Sequence, residues 1–140
     1  MDDIKVATIN CRGPTRLTVA KQLQIQHFIN EHNVDIAFLQ ETNFNLKTFD
    51  NWEHIRKYYS YIYNNANNEY GTAVLVKNTL ETNNVNIDTE GRIITLDIFQ
   101  TTFANVYAPS GNDNDSRCHR ERIFGENLQN ILRTLVKNPI

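Results

Sequence analysis

The sequence has little of what marks a secreted, zinc-bound or membrane-spanning protein. Its two cysteines, Cys11 and Cys118, stand far apart, with no CxxC pair and no cysteine–histidine spacing suited to zinc. Two free thiols are expected rather than a disulfide, because nothing else in the chain is secretory in character. The opening MDDIKVATIN has acids where a signal peptide has a basic region and an apolar stretch. No apolar run approaches the length that crosses a bilayer. The expected setting is therefore reducing and intracellular. A strong basic balance is missing too: the formal net charge is -2, so any nucleic-acid contact has to come from a local patch rather than the whole field. There is no internal repeat and no linker, and the twenty asparagines read only as a surface tolerant of polar residues.

What remains is the composition of a globular domain, 140 residues long with 40% hydrophobic and 10% aromatic content. IKVATI is a short β-branched strand, broken by Asn10, Cys11, Arg12, Gly13 and Pro14. Good helix formers run from about Thr15 to His32 without Gly or Pro, which predicts a helix whose inner face holds Leu23, Phe28 and Ile29. VDIAFL follows as a second strand. Strand, helix and strand at this spacing predict a parallel crossover, with Asn10 and Glu41 ending two parallel strands at one edge.

Further on, Asn43 to Lys57 reads as a loop holding Phe44, Phe49 and Trp52, and the asparagine-rich NNANNEYG separates strands SYIY and TAVLV. Asn83 to Asp88, Arg92 to Phe99 and Thr102 to Tyr107 form an antiparallel meander around a turn at Thr89, Glu90 and Gly91. The period of two puts Ile94, Leu96 and Ile98 on one face, and likewise Phe103, Asn105 and Tyr107. Ala108, Pro109, Ser110 and Gly111 end the last strand. Arg117 to about Lys137 is a second amphipathic helix.

The apolar strand VDIAFL stops on an amide and a carboxylate, Gln40 and Glu41. A carboxylate at the exposed end of a buried strand is held on rigid backbone without being buried unpaired. One carboxylate, a nearby amide oxygen and several waters suit Mg²⁺, which keeps much of its hydration shell. Local sequence alone favours a plainer reading, in which Glu41 is a solvated residue after a strand. Asn10 reads equally well as a turn former before Gly13, and Tyr107 reads more readily as a half-buried strand tyrosine. Arg117, Arg120 and Arg122 with His119 form the one dense basic group. They suit DNA phosphates, or pairing with Glu121 and Glu126 at helical spacings.

INCRG, DIAFLQET, YGTAVLV, EGRIITLDI and FANVYAPSG, in this order, closely resemble the N-terminal half of the endonuclease/exonuclease/phosphatase superfamily. Among its branches the text looks most like the apurinic-type endonuclease domain of LINE-like, non-LTR retrotransposons. The resemblance runs from Ile4 to about Leu135. It implies an α/β fold, the N-terminal half of a four-layer αββα sandwich of the DNase-I-like kind, with one mixed sheet and two flanking helices. It implies that Glu41 is the main ligand of Mg²⁺, with Mn²⁺ as the alternative, and that Asn10 sits near metal and phosphate. Tyr107 of the Y-x-P motif would place its hydroxyl on the scissile phosphate, while Gln40, Asn43 and Arg117 are candidate DNA contacts.

The implied activity is that of an endonuclease nicking target DNA for retrotransposition, in the nucleus, within a polyprotein that continues into a reverse transcriptase. The alternatives are an apurinic-site repair nuclease or another superfamily phosphodiesterase, and a non-catalytic, degenerate retroelement fragment. The superfamily's Gly-Asp-Phe-Asn and Ser-Asp-His segments, which supply the groups that activate water and a histidine that contacts the phosphate, are absent from these 140 residues. His27, His32, His54 and His119 lie in no matching context. The expectation is a partial domain over 1–140 whose C-terminal half is missing. On that reading Ile94, Leu96 and Ile98, or Val74 and Val76, form faces that need a partner the chain lacks, and the fragment is inactive alone.

Overall fold

A computed structural model describes residues 3–11, 18–42, 50, 52–64, 71–108, 122 and 124–130. The chain divides into two units, Met1–Val106 and Tyr107–Ile140. The first unit holds, in order, β1 (Val6–Asn10), α1 (Val19–Glu31), β2 (Ile36–Gln40), α2 (Glu53–Tyr58), β3 (Tyr59–Asn64), β4 (Thr72–Lys77), β5 (Thr82–Ile87), β6 (Ile93–Ile98) and β7 (Thr101–Val106). In the second unit residues 125–130 are helical and Phe124 is buried; the rest of the helix predicted over 117–137 lies outside the described residues.

The strands form a mixed sheet ordered β1-β2-β4-β3 and an antiparallel sheet ordered β5-β6-β7. β1 and β2 run parallel, joined by α1 as the spacing predicts, and β4 pairs antiparallel with β2 and β3. The fold is α/β. Side-chain alternation divides the core in two. Ala37, Leu39, Ala73 and Leu75 face α1 and α2, where Ile25, Ile29, Trp52 and Ile55 cover them. Ile36, Phe38, Val74 and Val76 face the other way and pack on Ile94, Leu96 and Ile98 of β6.

The second of these layers overturns one expectation. The faces of Val74 and Val76 and of Ile94, Leu96 and Ile98 do have a partner in this chain, because each is the other's cover. Each aliphatic side chain buried there contributes about 1.5–3 kcal/mol. The two-residue alternation shows which face is apolar but not which face meets it.

α1 also departs from expectation. Its buried residues are Gln22, Ile25 and Ile29, while Leu23 and Phe28 are half exposed. Spacings of three and four put Gln22, Ile25 and Ile29 on one stripe, and Phe28 instead meets the His32 ring at 4.5 Å. The helix begins where Thr18 Oγ1 accepts from the Lys21 N–H. It ends in a Schellman turn, with Asn33 at φ 51°, the Asn33 N–H on Asn30 O and the Val34 N–H on Ile29 O. Val34 and Ile29 share the core cluster beneath that turn.

The stretch read as a loop up to Lys57 contains the short helix α2. Glu53 in its first turn and Arg56 and Lys57 in its last complement the helix dipole. Gln26 Oε1 accepts from the His54 N–H, and Trp52 and Ile55 are fully buried. Asn43 to Phe49 lie outside the described residues. Among the described residues no helix is long and apolar enough to cross a membrane.

β6 is buried on both faces, so its one carboxylate, Asp97, requires partners. Thr102 Oγ1 donates to one oxygen at 2.6 Å, and Asn84 Nδ2, from a bulge where Asn84 takes φ 53°, donates to the other at 2.8 Å. These bonds, the Thr102 one foremost, hold the Asp97 carboxyl below its usual value. A lowered folded pKa stabilises above the unfolded value of about 3.9, and that contribution is lost as pH falls through the folded value. Asp97→Asn is expected to flatten the acid limb of urea midpoint against pH below about pH 4. An unchanged limb would show that the pair of bonds carries no linkage.

Candidate active site

The register of β1 and β2 brings the predicted residues to one edge. Asn10 lies opposite Gln40, and the Cys11 N–H continues the ladder onto Gln40 O at 2.8 Å. Asn10 and Glu41 therefore leave the sheet together at the C-terminal ends of two parallel strands, as the crossover predicts. On the other side Gln40 lies opposite Thr72, and the Thr42 N–H reaches Gly71 O at 3.2 Å.

Glu41 has φ 51°. For a residue with a Cβ this left-handed conformation costs about 1–3 kcal/mol and persists only where the surroundings impose it. Here the β2 ladder fixes one side of Glu41 and the Thr42–Gly71 bond fixes the other. The side chain is half-buried, so the strain is spent on a carboxylate that solvent still reaches.

Beside it, Cys11 is fully buried in the core between sheet and helices, its thiol donating to Ile9 O at 3.9 Å. Burial pushes that thiol up to about 12, Lys21 pulls it partly back, and Glu41 adds to the rise. It is free of any disulfide, a core thiol rather than a nucleophile.

Gln40 is anchored. Its Nε2 donates to Asn105 Oδ1 at 2.9 Å and to Thr8 Oγ1 at 3.0 Å. Asn105, 2% exposed, in turn donates to Leu39 O at 3.0 Å and Ala73 O at 2.9 Å. One amide on β7 thus ties the antiparallel sheet to β2 and β4 directly beneath the Glu41 edge. A second tie lies at the end of β3, where Asn64 Nδ2 donates to Asp88 O and Oδ1, and Asp88 Oδ1 also accepts from the Arg92 and Ile93 N–H groups. The Thr72 hydroxyl donates to Gly91 O at 3.3 Å. The edge is rigid because both sheets are pinned there.

Sequence reasoning put Asn105 on a shared face with Phe103 and gave it no role. The signal was present, since a polar residue at the core phase of a strand has to find partners. Of the other predicted residues, Tyr107 is half-buried and follows β7 at the start of the second unit. Asn43 and Arg117 lie outside the described residues. Arg122, from the same basic group as Arg117, is exposed.

The profile of the endonuclease/exonuclease/phosphatase family matches residues 7–139. The chain belongs to this family. No curated protein matches it in sequence, but its fold is shared with solved structures. A 3' phosphatase, NExo, from Neisseria, bound to a product DNA hairpin, superposes with a TM-score of 0.77 at 17% identity over 98% of this chain and 54% of that one. An AP endonuclease from Archaeoglobus fulgidus gives 0.72 at 21% identity over 95% and 52%. TDP2 from Caenorhabditis elegans gives 0.71 at 20% over 99% and 46%. The chain spans about half the length of these structures.

Members of this family generally use divalent metals. The donors at the Glu41 edge fit a hard one: a solvent-reached carboxylate and the Asn10 amide, with the nearby sulfur turned into the core. Among the described residues no three His, Cys, Asp or Glu side chains gather to form a closed metal cage. An ion that keeps most of its waters needs no such cage.

Proposed function

We propose that this chain forms part of a metal-dependent phosphodiesterase acting on DNA, a nicking endonuclease of the retroelement kind. Glu41 is the main ligand for Mg²⁺, or Mn²⁺ in its place, with Asn10 beside it. The observation that carries this is the strained Glu41 at the end of β2, in register with Asn10, inside a chain that the family profile matches almost throughout. When bound, Mg²⁺ supplies polarisation of a phosphoryl oxygen and stabilisation of charge on the leaving oxygen. Gln40, locked by Asn105 and Thr8, fixes the backbone from which Glu41 projects. Tyr107 donates its phenolic hydrogen to the scissile phosphate, an interaction that strengthens as charge develops there. Asn43 and Arg117 are the proposed DNA contacts outside this group.

The groups that activate water are proposed to lie in the Gly-Asp-Phe-Asn and Ser-Asp-His segments, which these 140 residues do not contain. Purified 1–140 is therefore expected to leave supercoiled plasmid intact in Mg²⁺, since an ion alone does not position a nucleophile. Nicking by it that depends on Mg²⁺ and on Glu41 would refute the expectation. A chain extended through both segments is the direct test: relaxation of plasmid that rises with Mg²⁺ and stops in EDTA supports the proposal, and metal-independent cleavage overturns it. In that chain Tyr107→Phe is expected to lower the single-turnover rate about a hundredfold, as removal of a transition-state donor does. An unchanged rate would return Tyr107 to a packing role.

A second reading, cleavage at apurinic sites or removal of 3' phosphates, draws support from the fold shared with the Archaeoglobus and Neisseria enzymes. Oligonucleotides carrying an apurinic site or a 3' phosphate, run beside intact plasmid, separate the two. Retroelement origin predicts a reverse transcriptase encoded downstream in the same frame, and work on nuclear DNA. DNA binding without cleavage in the extended chain would identify a degenerate copy.

A further inference from the structure

A cavity of about 520 Å³ opens at the end of the mixed sheet remote from Glu41, within the range of about 300–1,000 Å³ that small-molecule sites occupy. It lies between the C-terminal end of α1, α2 and the end of β4, so the length of β2, about 17 Å at 3.3 Å per residue, separates it from the phosphodiester edge. One wall is aromatic. The His54 and Tyr58 rings stand 4.9 Å apart at 51°, and Tyr58 is 47% exposed although it sits at the end of a helix with a packed inner side. Ile29 and Tyr59 close the floor, the Tyr59 hydroxyl donating to Val34 O.

The charges at the rim do not cancel. Lys77 pairs with Asp35 at 3.4 Å, and the Lys5 N–H donates to the other Asp35 oxygen at 2.8 Å, so Asp35 is compensated. Lys57 has no acidic partner among the described residues, and its ammonium lies 5.3 Å from the Tyr58 ring centroid. The cavity therefore offers two aromatic rings tilted to one another, of which Tyr58 is the more exposed, a floor of apolar side chains, amides such as Asn30, and one uncompensated cation at the lip.

We propose that this cavity binds a mononucleotide, with the base stacked on the Tyr58 ring beside His54 and the phosphate on Lys57. A base has a π-face that any aromatic wall accepts, and a phosphate beside an uncompensated lysine gains charge-assisted hydrogen bonds. The inference is independent of the phosphodiesterase reading, since it uses none of the residues at the Glu41 edge.

The test is titration of the 140-residue chain in EDTA with AMP, adenosine and inorganic phosphate, followed by calorimetry or amide chemical shifts. AMP is expected to bind with a dissociation constant on the order of 100 µM, and adenosine and phosphate each about tenfold or more weaker. Lys57→Met should weaken AMP about tenfold and leave adenosine unchanged. Tyr58→Leu, at an exposed position the fold does not need, should weaken both, and Glu41→Gln should weaken neither. Failure of AMP to bind at millimolar concentration overturns the proposal. So does binding indifferent to both Lys57→Met and Tyr58→Leu, and so does binding lost on Glu41→Gln, which would put the nucleotide at the other end of the sheet.

Discussion

Glu41→Gln in the extended chain is expected to reduce Mg²⁺-dependent nicking by about a thousandfold while DNA binding largely survives. The substitution keeps the length and shape of the side chain and removes only its charge. An amide oxygen can still ligate a hard cation but lacks the negative charge that draws it in, so the metal requirement should rise as the rate falls. Glu41→Gly sharpens the test. With φ at 51°, loss of the Cβ relieves about 1–2 kcal/mol of strain, offset in part by the greater freedom of glycine in the unfolded chain. That variant should be at least as stable as the parent and inactive. Stability and activity moving in opposite directions is the mark of a conformation kept for chemistry. A rate for Glu41→Gln within about tenfold of the parent, where metal-ligand loss should cost far more, would end the ligand assignment.

The strands were legible because their chemistry is local. VDIAFL and TAVLV are continuous apolar runs, and continuous runs belong to strands covered on both faces, which is where β2 and β4 lie. The parallel pairing of β1 and β2 was equally legible, since a connection of that length containing a helix permits little else. α1 was legible as a helix but not in its orientation. Its apolar residues are few and scattered, so Leu23 and Phe28 drew the inner face toward themselves, whereas contact with α2 and the sheet selected Gln22, Ile25 and Ile29. The second sheet shows the same limit on a larger scale: the pattern in IITLDI states that Ile94, Leu96 and Ile98 must be covered, and only the folded chain shows that β2 and β4 cover them. At the Glu41 edge the residue types and their shared position were readable. The left-handed backbone of Glu41 was not, because nothing local distinguishes a glutamate that is forced into that conformation from one that is not.

Asn105 is where the largest loss of stability is expected. Its amide donates to Leu39 O and Ala73 O and accepts from Gln40, and it is 2% exposed. Alanine removes all three bonds: Leu39 O and Ala73 O each lose a donor in a region that water scarcely reaches, while Gln40 keeps its bonds to Thr8 Oγ1 and Phe38 O. Each such group costs about 1–3 kcal/mol, partly recovered by relaxation, so a net loss of about 3 kcal/mol is expected. Against the 5–15 kcal/mol typical of a whole domain this is a large share. With a urea m-value of about 1.5 kcal/mol/M it lowers the midpoint by about 2 M at unchanged slope. Asn105→Asp separates the bonds from the volume they fill. An ionised carboxylate cannot donate to Leu39 O and Ala73 O, and burial among carbonyls raises its folded pKa above the unfolded value of about 3.9. A raised acid pKa makes the variant progressively less stable as pH rises from about 4, the opposite sign to Asp97. Asn105→Asp should therefore lie below Asn105→Ala at pH 7 and approach it at pH 4. If both variants instead unfold at the parent midpoint, the amide is not what ties the two sheets together, and the rigidity ascribed to the Glu41 edge has to come from the Asn64–Asp88 and Thr72–Gly91 ties.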